Sequence, residues 1–426
     1  MIPTYVVGRL TGNETGSYLS LDLGGTNMRV CLVRLLGKGE FTLRQRKFTI
    51  PEAYKVGLGR PLFDYMAECV GLFLDEARTD QELLPLPDGR SYALGFTFSF
   101  PLNQTAVDRG TLMRWTKSFN LPDVIDKDVV QLLQSAMDRL NLNVRVTAII
   151  NDTVGCLLAN AYRDPNTQIG VILGTGNNAA YYERIPQITK WTAQHDPAVH
   201  PATRGETEMI INCEWGAFDN ERRALPRTRF DARVDRMTHH VFCQLFEKMS
   251  AGMYLGELLR LVLLDLIDRR LLFDGYSSDI LNRPMSVDTA YMSAIEADTT
   301  ADLEHVRRVL EDVLDMPAGS STLLERQIVQ RVCALIGLRS ARLGAVGLTT
   351  LLSQREDQLS DPNVKLAIAV DGSLFEHYPC YPERLKAALE VLLGEDCVRN
   401  RITLGLAKDG SGVGAALGAM LAEKRR

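Results

Sequence analysis

The sequence predicts an α/β protein of two facing halves, each a mixed sheet flanked by helices. Two observations carry this. An apolar strand ending at Leu21-Asp22-Leu23 runs into Gly24-Gly25 and resumes at Met28. The same device returns at Ile169–Leu173, Gly174-Thr175-Gly176-Asn177 and Ala179–Glu183. After each turn, segments of strand and helix period alternate, so the second half partly repeats the first.

In order, Tyr18–Asp22, Met28–Leu35 and Phe41–Ile50 read as strands. Turns at Gly24-Gly25 and Gly37–Gly39 join them into an antiparallel meander. Phe63, Met66, Ala67, Val70, Phe73 and Leu74 recur at helical spacing and predict a helix over Leu62–Ala77. Tyr92–Phe98 is a strand that Pro101 stops. Val124–Leu140 reads as a helix and Val144–Ile150 as a buried strand ending at Asn151-Asp152, giving βββαβαβ for the first half. In the second half Met209–Cys213 is a third strand, and helices fill about Arg236–Leu272 and Ala301–Leu352. Leu366–Val370 is a strand ending at Asp371-Gly372-Ser373, followed by helix Glu383–Leu393, strand Ile402–Leu404 and helix Ser411–Glu423. Gln187–Thr207 has no period and reads as a surface loop.

At 426 residues the chain is long enough for two or three domain-sized units. A net charge of −5 argues against a general nucleic-acid partner. No apolar run approaches the ~18 residues of a membrane span, and the N-terminus lacks the basic and apolar regions of a signal peptide. The eight cysteines form no Cys-x-x-Cys pair, and most, lying in apolar stretches, read as reduced core residues. A soluble cytoplasmic protein is expected, with its oligomeric state left open.

A glycine turn exposes successive backbone N–H groups, and such a concavity attracts phosphate. Gly24-Gly25 is expected at positive φ, which glycine alone tolerates freely. Asp22 stands at the mouth of this turn, where a carboxylate holds hydrated Mg²⁺. A plain hairpin accounts for the same residues. Gly174-x-Gly176-x-x-Ala179 fits a dinucleotide fingerprint, but that requires a helix next, and Ala180-Tyr181-Tyr182-Glu183 reads as a strand. No Gly-x-x-x-x-Gly-Lys-Ser/Thr occurs. Asp152-Thr153 also reads as a simple helix N-cap, and Gly414 and Gly418 as sites of close helix packing. His239 and His240 have no evident third metal ligand. The acidic stretch Glu296–Glu311 reads as a solvated helix face.

Taken together, eight motifs in order resemble the hexokinase/glucokinase family of the eukaryotic type. They are Leu-Asp-Leu-Gly-Gly-Thr-Asn (21–27), Gly-Phe-Thr-Phe-Ser-Phe-Pro (95–101), Trp-Thr-Lys-Ser-Phe (115–119), Asn-Asp-Thr-Val-Gly (151–155), Gly-Thr-Gly-Asn-Asn-Ala (174–179), Asn-Cys-Glu-Trp-Gly-Ala-Phe (212–218), Phe-Glu-Lys-Met (246–249) with Gly-Met-Tyr-Leu-Gly-Glu (252–257), and Asp-Gly-Ser-Gly-Val-Gly-Ala-Ala (409–416). The run Glu-Trp-Gly-Ala-Phe-Asp-Asn-Glu is most like fungal glucokinases. The resemblance implies a two-lobed actin-like ATPase (ribonuclease H-like) fold, with a small domain of residues 1–151 and 412–426 and a large domain of 152–411. It implies phosphorylation of a hexose, glucose first, at the 6-hydroxyl by Mg-ATP, feeding glycolysis.

By the same resemblance Ser99, Thr116, Lys117, Asn151, Asp152, Asn178, Glu214 and Glu247 match sugar contacts, with Gln244 beside them. Asp152 matches the catalytic base. An aspartate near its ordinary pKa of ~3.9 cannot deprotonate an alcohol beforehand, so it chiefly orients the hydroxyl and takes the proton as the phosphoryl group arrives. Asp22, Gly24, Gly25, Thr26, Asn27 and Arg29 match the first phosphate hairpin, and Gly174, Thr175 and Gly176 the second. Gly410, Ser411, Gly412 and Gly414 fall on the adenosine side. Arg29 and Lys117 are placed to stabilise the migrating charge. Mg²⁺ is expected on ATP phosphates and water, near Asp22 and Asp152.

Two departures stand out. The family's Asn-Pro-Gly is replaced by His240-Val241-Phe242, and phenylalanine at a glycine position is expected to bar the loop's backbone or fill part of the hexose pocket. A helical segment that usually precedes Ile2 is absent, which is expected to expose part of the large domain. These motivate a rival reading, a catalytically weak or silent sugar-sensing relative. Retention of Asp22, Lys117, Asp152 and both phosphate turns favours catalysis. An actin-like or chaperone-type ATPase would not need the sugar-contact set.

Overall fold

The computed structural model describes residues 1–83, 86, 90–116, 118–192, 205–407 and 409–425. Its strands are β1 (Ile2–Val7), β2 (Thr15–Leu23), β3 (Asn27–Gly37), β4 (Glu40–Thr49), β5 (Tyr92–Phe98), β6 (Leu102–Ala106), β7 (Arg109–Leu112), β8 (Val144–Ile150), β9 (Thr167–Leu173), β10 (Asn177–Arg184), β11 (Glu208–Asn212), β12 (Leu366–Asp371) and β13 (Ile402–Leu406). One sheet has the order β4-β3-β2-β5-β8 and the other β1-β11-β10-β9-β12-β13. In the first, β2, β3 and β4 form an antiparallel meander, with β5 and β8 parallel to β2. In the second, β9, β10 and β11 form the meander, with β12 and β13 parallel to β9. The two sheets therefore repeat one topology, as the paired glycine turns predict.

β1 was not foreseen, and it pairs with β11 in the second sheet. Its chain position within 1–151 thus does not place it in the first sheet. The β6–β7 hairpin was also missed, because its strand alternates half-buried and exposed residues and carries no apolar run.

Two helices fill the space between the sheets. Asp152–Arg163 packs on β9, β10 and β12, and the closing helix Gly410–Glu423 packs on β2, β5 and β8. They cross each other closely enough that a Cβ on Gly414 would stand 2.1 Å from the carbonyl oxygen of Gly155. A Cβ on Gly95 would meet the carbonyl oxygen of Ala415 at 1.9 Å. Glycine is required here by proximity, since the backbones touch. Residues from both sides of the junction, among them Val6, Val33, Val154, Leu157, Tyr182 and Val413, share one buried cluster.

The helix expected over Leu62–Ala77 spans Arg60–Thr79, and that expected over Val124–Leu140 begins at Val129, where Asp128 caps it. The region expected to be helical over Arg236–Leu272 is three helices, Arg229–Met237, Leu245–Ser250 and Gly252–Asp268. Phe242 and Gln244 at positive φ break the run. The acidic stretch is not simply solvated: Glu296 pairs with Arg384, and Asp298 is buried and accepts the N–H of Val306 at 3.0 Å. Leu323–Gln354 has the length and apolarity of a membrane span but packs its Val329, Cys333, Ala341 and Leu348 into the core of the larger lobe. Of the Gln187–Thr207 loop, Thr189–Thr192 forms a short helical turn and residues 193–204 lie outside the described residues.

Candidate active site

The register of β2 and β3 sets Asp22 opposite Arg29. The Arg29 guanidinium donates to Asp22 Oδ2 at 2.8 Å and to Ser411 Oγ at 2.7 Å, and Ser411 Oγ donates to the same Oδ2 at 2.8 Å. Ser411 lies in the first turn of the closing helix, so this triad ties the first hairpin to that helix. Burial opposes the Arg29 charge, and the Asp22 carboxylate outweighs it, moving the guanidinium pKa up. Neither Gly24 nor Gly25 has positive φ, contrary to expectation. Gly24 is glycine for another reason: a Cβ there would lie 2.7 Å from the carbonyl oxygen of Asn27, which its N–H already bonds at 3.0 Å. Thr26 is exposed at the tip, and Asn27 Oδ1 accepts the Thr49 hydroxyl at 3.3 Å.

The second hairpin is clamped from behind. Gly252 N–H donates to the Gly174 carbonyl at 2.8 Å and Met253 N–H to that of Thr175 at 3.0 Å. Gly174 is buried against Gly372, Thr175 is exposed, and Gly176 lies by Glu247. Beside Thr175 opens a cavity of about 680 Å³ lined by Met253, Ser286, Asp288, Thr289 and Ser373 among others. Sequence reading missed it, because residues 285–289 form an irregular stretch without a motif. Of the run Gly410–Gly414, Ser411 alone sends a polar side chain toward the first hairpin. Gly410 packs on Cys156, Gly412 on Cys31 and Gly414 on Gly155, and all three are buried. Gly410 and Gly414 stand at the crossing of the two helices, and Gly412 faces the first sheet at Cys31.

The third group gathers at the ends of β5, β8 and β10. Asn151 Oδ1 accepts the N–H of Val154 at 3.0 Å and the Thr153 hydroxyl at 3.0 Å, so Asn151 caps the helix that follows. The N-cap position is thus Asn151 and not Asp152, whose Oδ1 accepts the Thr153 N–H at 2.8 Å. Asp152 stands one residue further on, half-buried, and its N–H donates to Ser99 Oγ at 3.1 Å. Thr116 is half-buried in a segment pinned by aromatic rings, Trp115 stacking on Phe119 at 5.3 Å and meeting Phe100 edge-on at 5.0 Å. Lys117 lies outside the described residues.

Across the gap, Asn178 Nδ2 donates to Asn212 Oδ1 at 2.9 Å and Glu214 Oε1 at 3.3 Å, and Asn212 Nδ2 donates to the same Glu214 oxygen at 2.8 Å. Asn212, not foreseen, orders Glu214, whose backbone is left-handed at φ 50°. A narrow crevice is lined by Phe98 and Asn151 on one side and Asn212 and Glu214 on the other. The Gln244 amide lies against Gly216. Glu247 Oε2 accepts the N–H of Asn177 at 3.1 Å. Burial pushes the Glu247 carboxyl pKa up, the charges of Glu214 and Asp152 push the same way, and the Asn177 N–H and Lys248 oppose them. Three carboxylates thus share one region, a setting that suits recognition of hydroxyl groups.

At the substituted loop, Phe242 adopts φ 63°. Phenylalanine therefore does hold the glycine-like conformation, which corrects the expectation that it is barred. Its ring is half exposed and stacks on the Arg222 guanidinium at 4.3 Å.

Family profiles described as Hexokinase match residues 1–162 and 168–421. Hexokinase-1 of Schizosaccharomyces pombe is 40% identical over 425 residues, covering 100% of this chain and 83% of that protein. The glucokinase of Aspergillus niger is 41% identical, covering 99% of this chain and 89% of its own. Among solved structures, a Schistosoma mansoni hexokinase complexed with glucose superposes with a TM-score of 0.80 at 35% identity, covering 98% of this chain and 88% of that one.

Proposed function

The chain belongs to the hexokinase family and is an ATP-dependent hexose kinase, and from this premise we propose that glucose is its preferred acceptor, phosphorylated at the 6-hydroxyl in the cytoplasm as entry to glycolysis. The observation that carries the reading is the division of labour at residues 151 and 152. Asn151 takes the N-cap position by accepting the Val154 N–H, and Asp152 stands one residue on, its Oδ1 accepting the Thr153 N–H at 2.8 Å. Asp152 stands beside Ser99 and within electrostatic reach of Glu247. Glu214, Glu247, Asn178 and the Asn151 amide nitrogen would hold the sugar hydroxyls, with Ser99, Thr116 and Gln244 around them. Asp152 would accept a hydrogen bond from the reacting hydroxyl, align its oxygen with the γ-phosphorus, and take its proton as the bond forms.

For the nucleotide, the Gly24–Asn27 and Gly174–Gly176 turns would offer backbone N–H groups to the phosphates. Arg29 would turn from Asp22 and Ser411 toward the transferring group. The cavity beside Thr175 has room for the base and ribose. Mg²⁺ bound with ATP would neutralise charge on its phosphates. Asp22, at the end of β2 beside the first hairpin, would hold it through water. A coupled ATP assay with glucose, fructose, mannose and glucosamine tests the reading. Glucose should give the highest kcat/KM, and preference for another hexose by tenfold or more would reject glucose as the acceptor.

A further inference from the structure

The loop between Met237 and Gln244 poses a physical problem. Residues 239–243 are all exposed, so no apolar burial fixes their path, yet Phe242 and Gln244 both hold positive φ. Such backbone persists only where the surroundings over-determine it. The restraint comes from one buried carboxylate. Asp235 accepts the Phe242 N–H, at 3.0 Å on one oxygen and 3.3 Å on the other. It also accepts Lys248 Nζ at 2.8 Å, with both side chains almost wholly buried. Lys248 Nζ reaches back to the His240 carbonyl at 2.6 Å. Helix Arg229–Met237, the loop and helix Leu245–Ser250 are thus joined at one point. From the opposite side Asn220 Oδ1 accepts the Leu245 N–H at 3.3 Å.

We propose that the buried Asp235–Lys248 ion pair is the positioning element of the hexose-contact segment Gln244–Glu247, setting hexose affinity while leaving phosphoryl transfer itself alone. This rests on Gln244 and Glu247 as hexose contacts. Lys248 follows Glu247 directly, and its ammonium fixes the loop that delivers Gln244. A polar anchor, rather than packing, also explains how a phenylalanine replaces the glycine usual at this loop. The bond to Asp235 is made by the backbone N–H, which any residue but proline supplies.

The test is steady-state kinetics on Lys248→Met, Asp235→Asn and their double variant, with Glu247→Ala as the control for the contact itself. Arg227 lies 3.7 Å from Asp235, so Lys248→Met keeps a cation near the buried carboxylate. The double variant removes both charges of the pair, leaving Arg227 as the neighbouring cation, and carries the test if either single variant fails to fold. Lys248→Met should raise the hexose KM at least fivefold, with kcat and the Mg-ATP KM within threefold of the parent, and the double variant should be no worse than the worse single one. A smaller rise in hexose KM, or a common change in kcat and both KM values, would overturn the proposal. If Glu247→Ala leaves the hexose KM unchanged, the site reading fails first and takes the proposal with it.

Discussion

Glu247 shows how a residue proposed to bind the hexose acts against the stability of its own fold. Its raised pKa means that the folded protein keeps a proton after the unfolded chain has lost it near the ordinary value of 4.5. The folded state then binds more protons than the unfolded one, so stability falls as pH rises from that value through the folded pKa. Glu247→Gln removes the penalty and keeps an oxygen for the Asn177 N–H. The variant should melt above the parent at pH 7.5, with the gap closing as pH falls toward 4.5, while its hexose KM rises. A variant that melts lower at neutral pH would contradict this. Asn151 and Asp152 make the complementary point: sequence alone offered Asp152-Thr153 as the cap, and the 3.0 Å bond from Val154 N–H places the cap at Asn151.

Among the elements, the crossing of helices Asp152–Arg163 and Gly410–Glu423 is the tightest packing decision in the fold. Gly414→Ala would place a methyl 2.1 Å from the Gly155 carbonyl oxygen. Overpacking of this kind costs about 1–3 kcal/mol or more, and backbone facing backbone has no flexible side chain to yield. The variant should lose stability by at least that amount in denaturant titration; a change under about 0.5 kcal/mol would show that the helices separate freely. Elements with strong apolar period were legible from sequence, as β5 and β8 show with the boundaries expected. β1 was not, since Pro3 and Thr4 interrupt it and its partner β11 lies some 200 residues away. The breaks around Gln244 were also invisible, because they depend on backbone held by Asp235 and not on glycine or proline.

For the whole molecule, the repeated sheet topology puts the two glycine hairpins at equivalent strand ends. That much was legible, since the hairpins and polar strand ends recur in the sequence. The cavity beside Thr175 was not, because its walls come from four separate stretches of chain. The proposed hexose contacts lie on both sides of the gap, so hexose binding should close it. Small-angle scattering should show a smaller radius of gyration with saturating glucose, and an unchanged profile would argue against closure. The most direct test of the account is the turnover number of Asp152→Ala at saturating hexose and Mg-ATP. If Asp152 orients and deprotonates the hydroxyl, its loss should lower kcat by about 10²–10⁴-fold, with only a small fall in melting temperature from the lost Thr153 N–H bond, because Asn151 retains the cap. A kcat within threefold of the parent would contradict the assignment of Asp152 and the mechanism built on it.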